Sequence, residues 1–240
     1  MCLVVLAHRV HTGYPLIVAG NRDEFHARPT LDAGWWTEEP DIAGGRDLSA
    51  GGSWLAVSRR GRFATVTNVA GRRGTAGEVR SRGHLVADFL RGEAPPLEYL
   101  RSIAGESYDG FNLLVTDGSE LAYGSNRGDA PRLLPPGIYG IGNERLDSMA
   151  DKVSRSKAKL ESLLGADEVG VDALLGLLDD REGDPPTAAP FVEHPEFGTR
   201  CSTVVTVRRD GDWRLVERRF DRAGHRNGES ALGFVVAEDG

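Results

Sequence analysis

The sequence predicts an α+β fold in which mainly antiparallel sheets are covered by helices. Two observations carry this. Apolar runs come in pairs around short turn signals, which is how hairpins read, and helical periodicity comes in blocks rather than after every strand, which argues against a doubly wound parallel sheet. A third observation, the absence of internal repeats, low-complexity tracts and strong linkers across the 240 residues, makes a single domain over residues 1–240 the simplest organisation.

The elements follow in order. Residues 2–7 (CLVVLA) read as a buried strand, His11-Thr12-Gly13-Tyr14 as a turn, and residues 15–20 (PLIVAG) as a second strand that closes a hairpin. Asn21-Arg22-Asp23-Glu24 ends that strand, and four polar residues after an apolar run ordinarily begin a solvated loop. Residues 26–50 look irregular, with Trp35-Trp36, Pro40 and Gly44-Gly45. Residues 52–58 and 62–69 form a second hairpin around Arg59-Arg60-Gly61, and residues 71–77 form a loop rich in Gly and Arg. Helices are expected over 81–90 and 95–104, with Leu85, Phe89 and Leu90 on one face. Residues 111–116 and 120–123 flank the turn signal Asp117-Gly118, and a short strand covers 138–141. Helical periodicity returns over 149–164 and 170–180 and ends at Asp184-Pro185-Pro186. Residues 199–208 and 213–220 pair around Asp210-Gly211, and 231–238 adds one more strand.

Composition excludes several function classes. With 40% hydrophobic and 27% charged residues the chain has the material for an ordinary globular core. A net charge of -7 argues against a general nucleic-acid binder, which needs a basic face to neutralise phosphates. No apolar run approaches the roughly 20 residues needed to span a bilayer. The amino-terminal apolar run has no basic segment before it and meets His8 and Arg9 at once, so it does not read as a signal peptide, and a cytoplasmic location is the expectation. Two Cys, at 2 and 201, are too few for a disulfide scaffold or a Cys-based metal site. The six His, at 8, 11, 26, 84, 194 and 225, show no i, i+4 ligand spacing, so no metal site is expected. His8 and His11 fall at the first turn and are expected to face solvent.

Cys2 carries the chemical question. A small second residue favours removal of the initiator Met, and the chain would then begin with a Cys holding both a thiol and a free α-amine. That amine ordinarily titrates near pH ~8, so it can take the proton of its own side chain. The other reading is a small buried strand residue, where free Cys usually sits. Cys201 reads as core packing. The basic 71–74 loop offers charge and free N–H groups to an anion, or is simply a loop. Trp35-Trp36 either lines an apolar pocket or anchors core and loop.

The opening "MCLVVLAHR" and "PLIVAGNRDEF", with "GGSWLAVSRRGRFATVTNV", "GFNLLVTD", "IYGIGNERLDS" and "GTRCSTVVTV", resembles the family named for its Asn-Arg-Asp-Glu motif, the transport and Golgi organisation protein family. The matching blocks run in order from Met1 to Val207. That family in turn is similar to the N-terminal-nucleophile Cys hydrolases of the bile-salt hydrolase and penicillin acylase group. The resemblance implies an αββα sandwich, with two mainly antiparallel sheets between helical layers. It implies a site in which Arg22 and Asp23 hold the Cys2 thiol and amine, Asn68 serves the oxyanion hole, Asn143 supports the α-amine or the substrate, and Arg200 takes the place of a late catalytic Arg.

Two functions follow. One is a Cys2-dependent hydrolase of amide or thioester bonds that requires no cofactor. The other is a non-catalytic protein on the same fold, which the resemblance links to haem trafficking and to acyl-CoA and lipid homeostasis. Its ligand would be hydrophobic with an anionic group, haem or acyl-CoA, held at Asn21, Arg22, Asp23 and Glu24 with Arg72 or Arg73 meeting carboxylates or phosphates.

Overall fold

The computed structural model describes residues 2–71, 74–75, 79–128 and 130–236. The chain divides into two compact units. One comprises Met1–Arg28, Pro136–Gly142 and Leu146–Gly240; the other comprises Pro29–Pro135 and Asn143–Arg145.

The first unit is built on strands β1 (Cys2–His8), β2 (Leu16–Phe25), β10 (Gly137–Ile141), β11 (Phe197–Val207), β12 (Asp212–Phe220) and β13 (Arg226–Val235). They form a six-stranded antiparallel sheet in the order β10-β1-β2-β11-β12-β13. Helices α3 (Asp151–Leu163) and α4 (Val171–Leu178) cover one face. The core there comes from Leu3, Val5, Ala7, Ile17 and Ala19 of the sheet and Val153, Leu160, Leu174 and Leu178 of the helices. The alternation Leu3, Val5, Ala7 is the period of two expected of a strand. Each fully buried leucine adds about 2 kcal/mol, which explains why α4 forms in only eight residues: Leu174, Leu175, Leu177 and Leu178 are all buried.

The second unit holds β3 (Thr30–Trp35), β4 (Ile42–Asp47), β5 (Leu55–Ser58), β6 (Arg62–Asn68), β7 (Phe111–Thr116), β8 (Leu121–Ser125) and β9 (Arg132–Leu133), adjacent in that order in a seven-stranded antiparallel sheet. Helices α1 (Gly83–Arg91) and α2 (Pro96–Ser102) pack on it, α1 through Leu85, Val86, Ala87, Phe89 and Leu90. The expected hairpins form at Asp117-Gly118 and Asp210-Gly211. Gly118 and Gly211 sit at φ of 89° and 81°, a conformation that costs a residue with a Cβ far more than Gly.

Three expectations need correction. Asn21-Arg22-Asp23-Glu24 does not begin a loop: β2 continues through it to Phe25, because β11 is eleven residues long and its first half pairs with the polar stretch, Thr199 opposite Asp23 and Gly198 opposite Glu24. Residues 26–50 are not irregular: they contain β3 and β4, whose pairing shifts register between Leu31 and Gly34, and that irregularity hides the alternation in the sequence. His8 and His11 do not face solvent. Both are buried, and the His11 ring is held between the Gly13 N–H at 3.0 Å and the Ala166 carbonyl at 2.9 Å. The two adjacent tryptophans divide their roles: Trp36 is buried and donates Nε1–H to the Gly44 carbonyl at 3.0 Å, while Trp35 lies half-buried under Arg59, 3.7 Å from its ring centre. Among the described residues no helix is long and apolar enough to cross a membrane.

Candidate active site

Cys2 opens β1, an interior strand of the six-stranded sheet, and its partner in the register with β2 is Arg22. On its other side Arg22 is opposite Cys201 of β11. Directly opposed residues in an antiparallel pair share a face, so Cys2, Arg22 and Cys201 form a row across three strands with Arg22 at its centre. Glu24, two residues further along β2, lies on the same face, 3.9 Å from the Arg22 guanidinium and 3.7 Å from that of Arg28. Cys2 is 8% exposed and Arg22 4% exposed. A nearly buried guanidinium beside a thiol is a built-in source of positive potential for a thiolate or for an anionic group.

Asn21 and Asp23 point to the opposite face, toward the helices. Asn21 is wholly engaged there. Its Nδ2 donates to the carbonyls of Leu178 and Pro190, both at 2.9 Å, and its Oδ1 accepts the Ser202 hydroxyl at 2.6 Å. It thereby satisfies a carbonyl at the carboxyl end of α4, a group that has no intrahelical donor. Asp23 is 2% exposed and accepts the Thr199 hydroxyl at 2.7 Å. Burial pushes its carboxyl up to about 6, while the chain's amino-terminal charge, the Thr199 hydrogen bond and Lys152 pull the other way. Arg22 and Asp23, adjacent in the chain, thus serve opposite sides of the sheet.

Arg200 sits in the bulge of β11 between Thr199 and Cys201, and its Nη1 donates to the carbonyls of Phe25, His26 and Arg28 at 3.1, 3.2 and 3.4 Å. It ties down the chain leaving β2. The Cys201 thiol is 3% exposed, and burial pushes it well above its usual range, so it stays protonated and inert.

In the second unit, Asn68 ends β6 and its carbonyl accepts the Nδ2 of Asn143 at 2.8 Å. The Oδ1 of Asn143 is buried with no hydrogen-bond partner among the described residues. A buried acceptor without a partner is costly. Arg72 and Arg73 lie outside the described residues. Among the described residues no group of three or more His, Cys, Asp or Glu is placed to hold a metal ion.

Lys152 belongs to none of the sequence motifs. It lies in the first turn of α3, is 6% exposed, and has an Nζ with no hydrogen-bond partner among the described residues. Its signal is present in the sequence: Lys152, Ser156 and Leu160 recur at i, i+4, i+8 on the buried face of α3, so a cation stands where the stripe calls for an apolar side chain. Thr199 is not legible in the sequence either, because its role depends on being opposite Asp23 across a strand pair 176 residues apart in sequence.

The family model described as Transport and Golgi organisation 2 matches residues 1–222. The Bos taurus protein named Transport and Golgi organization protein 2 homolog is 35% identical over 239 residues, covering 85% of this chain and 86% of that one. The Homo sapiens homologue is 32% identical over 245 residues with the same coverage. Among solved structures, the Caenorhabditis elegans N-acylethanolamine-hydrolyzing acid amidase orthologue superposes with a TM-score of 0.53 at 13% identity, over 85% of this chain and 92% of that one. A mutant conjugated bile acid hydrolase from Clostridium perfringens superposes with a TM-score of 0.57 at 6% identity, over 97% of this chain and 92% of that one. At such identities the likeness is one of fold, and the fold is that of the N-terminal-nucleophile hydrolases.

Proposed function

Because this chain belongs to the Transport and Golgi organisation 2 family and is folded like an acid amidase and a conjugated bile acid hydrolase, we propose that it is a hydrolase of amide or thioester bonds with Cys2 as nucleophile. The observation that carries this reading is the placement of Cys2 at the start of an interior strand, opposite the buried Arg22 and next to a strand that buries Asp23.

The chemistry begins with loss of Met1. The freed α-amine takes the proton of the Cys2 thiol, and the sulfur attacks the substrate's carbonyl carbon. As the C–S bond forms, the carbonyl electron pair moves to oxygen. Collapse of that intermediate breaks the bond to the amine or thiol leaving group, which takes the proton from the α-ammonium. Water then attacks the Cys2 thioester, again giving its proton to the α-amine, and release of the carboxylic acid restores the thiol. Arg22 offsets the developing charge on sulfur, and Asp23 as a carboxylate orients the α-ammonium. The oxyanion and support roles that family resemblance gives to Asn68 and Asn143, and the late catalytic role it gives to Arg200, belong to the same reading. No cofactor is required.

The test is mass spectrometry of the purified protein, followed by incubation with a panel of N-acyl amides and acyl thioesters. A chain beginning at Cys2, with a transient acyl adduct on Cys2 and no turnover by Cys2→Ala, supports the reading. A chain that retains Met1 overturns it.

The burial of both Cys2 and Arg22 favours a second reading, in which the same face holds the anionic group of haem or acyl-CoA without cleavage. Haem would then give a Soret band on titration, and acyl-CoA would raise the melting temperature by mass action. Neither response, in a protein that also lacks turnover, would remove both readings.

A further inference from the structure

We propose that Asn112, backed by Tyr123, is a positioning residue that fixes the Asn143 carboxamide and, with it, the end of β6 that carries Asn68. The inference rests on the Cys2 reading, which draws Asn68 and Asn143 into the reaction. It deepens that reading, because the family resemblance gives neither Asn112 nor Tyr123 a role.

A polar side chain stands here where a strand could bury an apolar one. In β7, Phe111, Leu113 and Val115 enter the core beneath α1 and α2. The alternation sends Asn112 to the other face, where it is 1% exposed. A buried amide is costly unless it is hydrogen-bonded, and both ends of this one are. Its Oδ1 accepts the Tyr123 hydroxyl at 2.9 Å. Its Nδ2 donates to Thr67 Oγ1 at 3.2 Å and to the Glu144 carbonyl at 2.5 Å. A carbonyl can only accept, so the Glu144 contact sets which way the Asn112 amide is turned. Tyr123, fully buried on β8, keeps it turned that way.

These contacts join separate pieces of the second unit. Thr67 is the register partner of Asn112 and the residue before Asn68. Glu144 is the residue after Asn143, in the stretch 143–145 that belongs to no helix or strand. The hydrogen bond from Asn143 Nδ2 to the Asn68 carbonyl, 2.8 Å, completes a closed circuit. It runs from Asn112 to Thr67, along the chain to Asn68, across to Asn143, along the chain to Glu144, and back to Asn112. Hydrogen bonds alternate with chain links all the way round, and a buried network satisfied in this way is rigid. Because the Asn68 carbonyl also only accepts, Asn143 presents Nδ2 to it and turns Oδ1 away. That Oδ1 is the buried acceptor with no hydrogen-bond partner among the described residues.

Asn112 therefore acts on the reaction through Asn143 and Asn68 without touching substrate. Removing its donor opens the circuit at Glu144 and leaves the Asn143 carboxamide free to turn.

The experiment reads exchange of the Asn143 side-chain amide with water by NMR. In the unaltered chain one Asn143 Nδ2 proton should exchange slowly, as a buried hydrogen-bonded proton does. Asn112→Asp keeps the size and the acceptor for Tyr123 but removes the donor to Glu144, and it should speed that exchange about tenfold or more. The Asn126 amide, held in the same unit by the carbonyls of Gly105, Tyr108 and Asp109, should keep its rate. Should Asn112→Asp fail to fold, Tyr123→Phe, which removes a single hydroxyl, decides by the same readout. Rapid exchange in the unaltered chain, an unmoved rate in the variant, or equal acceleration at Asn126 overturns the proposal. In the Met-processed protein acting on an N-acyl amide, the variant should lower kcat about 10- to 100-fold with KM little changed. Combined with Asn143→Ala it should lower kcat no further than Asn143→Ala alone; an unmoved kcat or additive losses overturn the proposal. If Cys2→Ala keeps full turnover, the hydrolase reading fails, while the amide exchange still decides whether Asn112 fixes Asn143.

Discussion

Arg22 stands directly opposite Cys2 across the β1–β2 pair and directly opposite Cys201 across the β2–β11 pair, so one buried arginine separates the two cysteines in a row across three strands. Of those thiols, Cys201 is held protonated by burial. The proposed chemistry therefore belongs to the Cys2 side of Arg22.

Replacing Arg22 with Met should remove the charge that offsets sulfur and lower kcat/KM for an acyl thioester by about 100-fold or more, the range for loss of one preorganised electrostatic group. Arg22→Lys should recover part of it, because a point charge replaces a fork. Steady-state kinetics on the two variants, with thermal melts to confirm folding, checks this.

Asp23 should make the fold less stable as pH rises. Its carboxyl is pushed from 3.8 up to about 6 by burial, so the folded state holds the proton more tightly than the unfolded chain. The associated stability is fully present below pH ~4 and is lost as pH rises through about 6. Asp23→Asn keeps an acceptor for Thr199 and should flatten this slope, gaining up to about 3 kcal/mol at pH 8. Urea midpoints at pH 4.5 and 8 check it, and a variant less stable than the parent at pH 8 would contradict the argument.

His8 should act in the opposite sense. Burial, with the Arg9 charge adding to it, pushes its imidazole from 6.5 down to about 4. The unfolded chain therefore binds the proton more readily, and the stability His8 contributes is present above pH ~6.5 and lost as pH falls toward 4. His8→Leu should reduce acid destabilisation between pH 6.5 and 4.5, measured as the change in Tm across that window.

Asn21→Ala should cost about 3 kcal/mol or more. It strands the Leu178 and Pro190 carbonyls and the Ser202 hydroxyl inside the protein, and each buried group left without a partner costs roughly 1–3 kcal/mol. Chemical denaturation checks the magnitude. Ser202→Ala, which removes only the hydroxyl, should cost less.

The sequence by itself determined most of the elements, because their causes are local. Strands such as 111–116 announce themselves by apolar runs bounded by Asp-Gly turns, and α1 by the spacing of Leu85, Phe89 and Leu90. It also singled out Cys2 and the Asn-Arg-Asp-Glu stretch, through residue type and position. Tertiary structure alone decided what that stretch does. Whether four polar residues continue a strand depends on whether a partner satisfies their backbone groups, and that partner is β11, some 175 residues away in the chain. Once β2 continues, the period of two sends Arg22 to the Cys2 face and Asp23 to the helical face. The family resemblance implies one shared role for the two residues, but their adjacency in the chain is what sends them to opposite faces. Local propensity and periodicity are properties of a few neighbouring residues, whereas burial, charge and pairing at a site are set by whichever distant segments the fold brings together.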